Sequence, residues 1–129
     1  MLRMLIGDLD LPNVCFEGFA ASAGLAAYYR AADLYVCPSA HEGYCLPLLE
    51  AMHRDVPVLA RRAGGMPEAL DGAGVLYEDL PAPELAALMH RILTDAPLRQ
   101  TILNSQRARM RREAARDIAA EVRQLLEGL

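Results

Sequence analysis

Residues 38–52, PSAHEGYCLPLLEAM, concentrate the side chains that could do chemistry in this chain. Seven residues separate two carboxylates, Glu42 and Glu50, and a helix is predicted to begin between them with Pro47 in its first turn, where proline is tolerated best. Amides at a helix N-terminus attract phosphate, whereas two carboxylates beside an anion are costly unless they accept hydrogen bonds from hydroxyl groups. These residue types therefore favour a ligand with both phosphate and hydroxyl groups, such as a nucleotide or a sugar phosphate.

The element that must position this segment is a predicted strand. Residues 34–37, Leu-Tyr-Val-Cys, form a continuous apolar run that Pro38 ends, which is typical of a strand covered on both faces. The segment therefore follows the carboxyl end of a buried strand, the edge at which open α/β sheets bind their ligands.

Strands and helices alternate along the rest of the chain. Strands are predicted at residues 14–16, 34–37, 56–60 and 74–77 and helices at 2–10, 23–32, 66–70 and 83–94, with residues 98–129 helical and rich in arginine. This alternation predicts an α/β fold: a Rossmann-like parallel sheet with helices on both faces and a long helical C-terminus. The chain opens with a predicted helix, however, whereas a doubly wound nucleotide-binding sheet normally opens with a strand and a glycine-rich turn.

Length and composition exclude several classes of protein. The 129 residues are interpreted as a single domain, and 53% hydrophobic with 23% charged residues is ordinary globular usage rather than the composition of a disordered chain. The net charge of −4 argues against nucleic-acid binding, and no apolar run is long enough to cross a membrane. Cys15, Cys37 and Cys45 are odd in number and lack metal-ligand spacing, and no export signal is visible, which favours reduced thiols, buried or half-buried, in the cytoplasm.

Four blocks, taken in order, carry a family resemblance: NVCFEGF, LAAYYRAADLYVCPS, PSAHEGYCLPLLEAM and PVLARRAGGMPEAL. This ordered set resembles the nucleotide-sugar-binding C-terminal domain of retaining glycosyltransferases of the GT-B fold and family 4 type, over about residues 11–104. The resemblance implies a transferase that moves a sugar from a UDP-, GDP- or ADP-sugar to an acceptor hydroxyl with retention. It implies no metal ion and no other cofactor.

The resemblance also implies roles for individual residues. Glu42 would be the catalytic carboxylate that contacts hydroxyls of the donor sugar, and Glu50 would hold the ribose hydroxyls. The backbone amides that would approach the sugar and the diphosphate are those of Gly43, Tyr44, Cys45 and Leu46. Further residues that would line the site are Gly64, Gly65, Glu68 and His41, the last either donating to the diphosphate or lying on the surface.

Two departures from the family pattern bear on the site. Cys45 stands where glycine is usual, so we expect its side chain to hinder the close approach of the backbone slightly. In the family, the cations that bind the diphosphate come from an earlier strand–turn–helix, which this sequence does not match. The family also has an N-terminal domain that binds the acceptor. The chain is therefore interpreted as an N-terminally truncated, bacterial donor-binding domain, incomplete and inactive by itself.

The implied partners are a nucleotide-sugar and either a separate N-terminal acceptor-binding domain or a second copy of the chain. A second copy would bind through an apolar stripe on the last predicted helix. This stripe consists of Ile118, Val122, Leu125, Leu126 and Leu129.

Plainer interpretations stay open. Glu42 and Glu50 would then be a solvated loop acid and a helix N-terminal acid favoured by the helix dipole. Glu50 and His53 have the spacing of a metal-ligand pair, but the sequence has no second copy of that pair. The arginines of the tail would contact an anionic membrane surface or, as the interspersed Glu113 and Asp117 favour, simply be solvated. The chain would in that case be a non-catalytic nucleotide- or sugar-binding module, or an inactive fragment that self-associates.

Overall fold

The computed structural model describes the backbone of residues 1–128 and their side chains except those of Ser22, Ala23 and Ile118. The elements are α1 (Leu2–Asp8), α2 (Ser22–Ala31), β1 (Tyr35–Cys37), α3 (Leu46–His53), β2 (Val58–Arg61), α4 (Met66–Leu70), β3 (Val75–Tyr77), α5 (Ala82–Thr94), α6 (Ala96–Ala114) and α7 (Ile118–Glu127). Every predicted helix is present, and the helical tail is divided into α6 and α7.

The three strands form one parallel sheet in the order β1-β2-β3. Tyr35 is paired with Val58, and Leu59 is paired with Val75, so the three parallel strands end at the same edge of the sheet. Parallel neighbours need a crossover connection, and α3 and α4 lie in the two connections. The carboxyl ends of all three strands therefore meet at one edge of the sheet.

Helices cover both faces of this sheet, as predicted. Successive residues of a strand point to opposite faces, and β2 is buried on both. Val58 packs with Leu48 of α3 in one core cluster, whereas Leu59 packs with Ile92 of α5 and Ile102 of α6 in the other. The α/β, Rossmann-like architecture predicted from the sequence is confirmed.

A buried glutamine joins α6 to the start of β2. The side chain of Gln106 accepts a hydrogen bond of 2.9 Å from the Val58 N–H and donates one of 2.8 Å to the Val56 carbonyl. Gln106 is fully buried, and buried backbone groups need such partners. The side chain therefore satisfies two backbone groups that would otherwise be buried without partners.

The strand predicted at residues 14–16 is wrong. Residues 14–21 have no regular secondary structure, and Phe16 lies instead against α1, its ring 5.8 Å from the guanidinium of Arg3. In the doubly wound order 3-2-1-4-5-6, a strand at this position pairs with the strand that precedes it in the sequence. Residues 1–13 contain a helix and no strand, so nothing there completes its hydrogen bonds.

The apolar stripes at the two ends of the chain are exposed. Leu2, Leu5 and Ile6 give α1 an apolar stripe, and none of the residues of this helix is buried. On α7, Val122, Leu125 and Leu126 are exposed; the side chain of Ile118 and residue Leu129 lie outside the described part. Cys15 is also exposed, contrary to the buried or half-buried thiol that we predicted, because it lies in residues 14–21, which pair with no strand. None of the helices described in residues 1–128 is both long and apolar enough to cross a membrane.

Candidate functional site

The segment between β1 and α3, residues 38–45, is here called the site loop. Its two ends are fixed in the core, because Cys37 at the end of β1 and Cys45 immediately before α3 are both buried. Between these ends, Glu42 is half-buried and Tyr44 is exposed. The loop therefore lies at the carboxyl edge of the sheet, anchored at both ends, with part of its middle open to solvent.

The turn after β2 packs directly against the site loop. Gly64 has a φ of +52°, and a Cβ atom there would collide with the carbonyl oxygen of Glu42. A Cβ atom on Gly65 would lie 2.5 Å from the carbonyl oxygen of Gly43. The Gly65 N–H donates a hydrogen bond of 3.1 Å to the Glu42 carbonyl. Glycine alone allows backbone to approach this closely, so the two glycines hold the backbone of Glu42 and Gly43 in place.

The backbone amides at the start of α3 are available to a ligand. The first hydrogen bond at this end runs from the Leu48 N–H to the Cys45 carbonyl, at 3.1 Å. In this segment, the amides of Gly43, Tyr44, Cys45 and Leu46 donate no hydrogen bond to any residue that the structure describes. Such amides at a helix N-terminus carry partial positive charge and bind anions. This end of α3 is therefore suited to phosphate or hydroxyl oxygens.

Cys45 fits the site loop without strain. Its φ of −74° and ψ of 90° are extended backbone that any residue adopts. Its side chain lies in the same core cluster as Cys37, and burial raises the pKa of the Cys45 thiol. A side chain in place of the usual glycine therefore has room in the core.

Glu50 is held by a tyrosine that the sequence analysis did not single out. The Tyr29 hydroxyl donates a hydrogen bond of 3.0 Å to Oε2 of Glu50 and lies 3.4 Å from the Pro47 carbonyl. Tyr29 is only 8% exposed. Burial, followed by the hydrogen bond to Glu50 and the charge of that carboxylate, raises the pKa of Tyr29 to about 12. The phenol therefore stays protonated at neutral pH and remains a donor to the carboxylate.

A cleft of about 440 Å³ lies beside this pair, between α2, α3 and α6. Its walls are mostly apolar, with Glu50 as a carboxylate and two basic neighbours at the end of α3. The lining residues are Leu25, Ala26, Tyr29, Leu49, Glu50, His53, Arg54 and Met110. An apolar cleft with a few polar groups is the usual form of a small-molecule site. Tyr29 was missed because a tyrosine in an amphipathic helix looks like ordinary core packing.

His41 faces a different cleft, of about 450 Å³, that it shares with the ends of β2 and β3. Arg61 and Arg62 lie there, paired with Asp79 at 2.5 Å and with Glu78 at 3.0 Å. Two arginines therefore lie next to the site loop, although no cation was predicted from this part of the sequence. Since both ion pairs are exposed, each contributes little to stability.

The remaining predicted residue, Glu68, lies apart from these contacts. It is exposed in the first turn of α4 and forms no hydrogen bond or ion pair with any other residue that the structure describes. Within residues 1–128, no group of three or more described His, Cys, Asp or Glu side chains is placed to hold a metal ion.

Comparisons with known proteins agree on one family. The sequence profile of glycosyl transferases group 1 matches residues 2–95. A D-inositol 3-phosphate glycosyltransferase of Kineococcus radiotolerans is 35% identical over 119 residues, which cover 84% of this chain. This chain spans only 27% of the length of that relative.

Solved structures show the same fold. Sucrose-phosphate synthase from Thermosynechococcus elongatus superposes with a TM-score of 0.78 and 31% identity, over 99% of this chain and 34% of that one. The C-terminal domain of LpcC, a glycosyl transferase group 1 family protein of Francisella tularensis, gives a TM-score of 0.65 and 31% identity, over 81% and 56% of the two chains. The chain therefore belongs to the group 1 family of glycosyl transferases and has the Rossmann-like fold of a GT-B C-terminal domain.

Proposed function

We propose that this chain binds the sugar donor of a glycosyltransferase that moves a sugar from a nucleoside diphosphate sugar to an acceptor hydroxyl, with retention of configuration. The observation that carries this proposal is the row of amides at the start of α3 that have no partner among the described residues. These amides lie between Glu42 and Glu50 in the sequence. A nucleoside diphosphate sugar has two phosphates for the amides and hydroxyls for the two carboxylates. A simple phosphate would leave the carboxylates without partners.

The amides of residues 43–46 would bind the diphosphate as it leaves. Negative charge grows on the leaving oxygen when the bond to the sugar breaks, and donors already fixed in place stabilise that charge without reorganisation. The contact between the Gly64–Gly65 turn and the site loop supplies this fixation. Glu42, whose carbonyl accepts from Gly65, would accept hydrogen bonds from hydroxyls of the donor sugar and orient it.

Glu50 would bind the ribose. Tyr29 donates to Oε2, which fixes the carboxylate in one orientation and leaves Oε1 for a ribose hydroxyl. Hydrogen bonds to a charged group contribute about 1.5–3 kcal/mol each. Glu50 is therefore expected to contribute to nucleotide affinity more than a neutral side chain would.

The rest of the reaction would need residues beyond this chain. The chain spans 27% of the length of its D-inositol 3-phosphate relative. We propose that an N-terminal domain, on the same or on a separate chain, binds the acceptor and supplies further cations for the diphosphate, with no metal ion. A cytoplasmic location, where nucleotide-sugars and reduced thiols would occur together, also stays a prediction.

Calorimetry tests donor binding directly. The chain would be titrated with UDP, GDP and ADP and with their glucose and mannose conjugates. We expect one base to bind at least tenfold more tightly, a difference of about 1.4 kcal/mol. Glu50→Gln keeps the shape and the Tyr29 contact but removes the charge, and it should weaken that binding.

The control is Glu84→Gln, which changes an exposed acid in the first turn of α5, away from the site. It should bind like the wild type. The donor-binding proposal is wrong if none of the nucleotides binds. It is also wrong if Glu50→Gln binds nucleotide as tightly as Glu84→Gln does.

Self-association is the second candidate function, and the exposed apolar side chains of α7 favour it. Leu125 is 72% exposed, and exposed apolar patches often mark interaction sites. Sedimentation velocity over a range of concentrations would detect a dimer. If Leu125→Gln abolishes that dimer while nucleotides have no effect on the chain, self-association replaces donor binding as its function.

A further inference from the structure

Helix α6 carries a buried arginine, Arg109, whose side chain is 6% exposed. Its guanidinium makes contacts in three directions. Nε donates to the Ala69 carbonyl at 3.2 Å, Nη1 donates to Glu113 at 2.7 Å, and Nη2 donates to the Tyr44 hydroxyl at 3.3 Å. The carboxylate of Asp71 lies 4.0 Å from Nε. A single side chain therefore joins α6, α4 and the site loop.

The position is costly for a charged group unless it is well paired. A buried cation loses its hydration, and only a close counter-ion with further hydrogen bonds compensates for that loss. Glu113 supplies the counter-ion from the next turn of α6, and Asp71 adds negative charge. The planar fork of arginine lets the remaining donors reach two neutral oxygens at fixed angles. Those oxygens belong to Ala69 and Tyr44.

The Tyr44 contact is the one that reaches the site. Tyr44 is 49% exposed, so packing alone holds its ring loosely, and its hydroxyl is tied to Arg109. Its own amide and that of Gly43 are among those that donate to no residue in the described structure. Ala69 lies in α4, the helix that directly follows the Gly64–Gly65 turn. The guanidinium therefore braces the site loop at Tyr44 and also contacts the element that supports the loop at Glu42.

We propose that Arg109 is a positioning residue for the donor site: through the Tyr44 hydroxyl it holds residues 43–46 in the conformation in which their amides face a bound diphosphate. This inference rests on the proposed function. It makes α6, which lies far along the chain from the loop, a determinant of donor affinity. A merely structural arginine would support the fold without affecting the loop.

Two conservative variants separate these roles. Tyr44→Phe removes only the hydroxyl and leaves Arg109 with Glu113 and Ala69. Arg109→Lys keeps the charge but loses the fork, so one ammonium cannot reach all three partners. Each should weaken nucleoside diphosphate binding about five- to tenfold, the usual effect of one lost hydrogen bond in a binding site. Because both changes break the same contact, the double variant should be little worse than either alone.

The experiment pairs calorimetry with hydrogen exchange measured by NMR. Calorimetry uses UDP, GDP and ADP on the wild type, the two variants and the double variant. Exchange is followed without nucleotide at two amides that report on the loop: Gly65, which donates to the Glu42 carbonyl, and Leu48, which donates to the Cys45 carbonyl. The Arg62 amide, which donates to the Tyr77 carbonyl at 2.8 Å between β2 and β3, is the reference. Tyr28→Phe, a change at a tyrosine of similar exposure on α2, is the matched control.

The proposal predicts faster exchange at Gly65 or Leu48 in both single variants, with the Arg62 amide and the Tyr28→Phe protein unchanged. It is overturned if Tyr44→Phe matches the wild type in exchange and in nucleotide affinity. It is also overturned if Arg109→Lys lowers the melting temperature while exchange at Gly65 and Leu48 stays the same. If the wild type binds none of the nucleotides, the donor function fails, and unchanged exchange at these two amides would overturn the positioning role separately.

Discussion

Tyr29 and Glu50 form the residue pair on which ribose recognition would depend. Tyr29→Phe removes the phenol that fixes Oε2 of Glu50 and leaves the carboxylate free to rotate. We expect a loss of about 1 kcal/mol in nucleotide binding, or roughly fivefold in Kd, since one hydrogen bond to a positioning group is lost. Calorimetry with the nucleotide that binds best would measure it. Tyr28→Phe is the control, and an effect of equal size there would contradict this role for Tyr29.

The same tyrosine is expected to make the free energy of unfolding depend on pH in the alkaline range. Burial first, and then the hydrogen bond and charge of Glu50, raise the folded-state pKa of Tyr29 to about 12, whereas an unfolded tyrosine titrates near 10. A raised pKa stabilises the fold fully below pH about 10, and this contribution is lost as the pH rises toward 12. The free energy of unfolding in urea should therefore decline between pH 8 and 12, and the decline should be smaller in Tyr29→Phe. Curves of identical slope for the two proteins would show that Tyr29 does not titrate in this way.

Variants at Gly64 and Gly72 distinguish the cost of a left-handed backbone from the effect of a steric clash with the site loop. Both have positive φ, at +52° and +81°, but a Cβ atom meets the Glu42 backbone only at Gly64, whereas Gly72 has open space. Alanine at either position should cost about 1–2 kcal/mol of stability through the left-handed conformation. Gly64→Ala should in addition displace Glu42 and abolish nucleotide binding, while Gly72→Ala should bind normally. Urea unfolding and calorimetry on the two variants would show whether the close contact matters for the site.

At the scale of elements, the buried side chain of Gln106 contributes to the attachment of α6 to the sheet. Gln106→Leu would leave the Val58 N–H and the Val56 carbonyl buried without partners, and each unsatisfied group costs about 1–3 kcal/mol. We expect a loss of about 2–4 kcal/mol in the free energy of unfolding, measured in urea. Gln100→Leu, which removes an exposed contact to Asn104 on the same helix, should change little. Equal losses for the two variants would mean that the buried hydrogen bonds contribute nothing specific.

The elements also show what sequence can predict. Apolar periodicity, caps and proline positions predicted the helices, although not the division of the tail into α6 and α7. Continuous apolar runs predicted β1, β2 and β3, because these patterns depend on the residues of each element and on its burial. Residues 14–16 have the composition of a strand, but a strand forms only by pairing with a neighbour, and no strand in residues 1–128 pairs with it. Tyr29 and Arg109 could not be assigned to the site for a related reason. Each acts through a contact with a residue far along the chain, and the sequence pattern by itself gives neither of them a role.

For the whole molecule, the unequal burial of the helices predicts unequal stability. Helix α1 has seven residues and none is buried, and an isolated helix this short is marginal in water. Hydrogen exchange should show α1 amides exchanging at close to unfolded rates, while those of β2, which is buried on both faces, exchange only on global unfolding. Helix α4 is the control, since it is shorter still, with five residues, but has Met66 and Leu70 buried. If the amides of α1 were protected from exchange as strongly as those of α4, this link between burial and local stability would be contradicted.

The distribution of the three cysteines gives the chain a built-in reporter of unfolding. Cys15 is exposed, whereas Cys37 and Cys45 are buried at the two ends of the site loop. An alkylating reagent should therefore modify one thiol at once, and the other two only when the core opens. The slow phase of that reaction would time the release of the site loop from the sheet, without any added dye or engineered residue. A fluorophore on Cys15 would in turn report what approaches the exposed N-terminal segment.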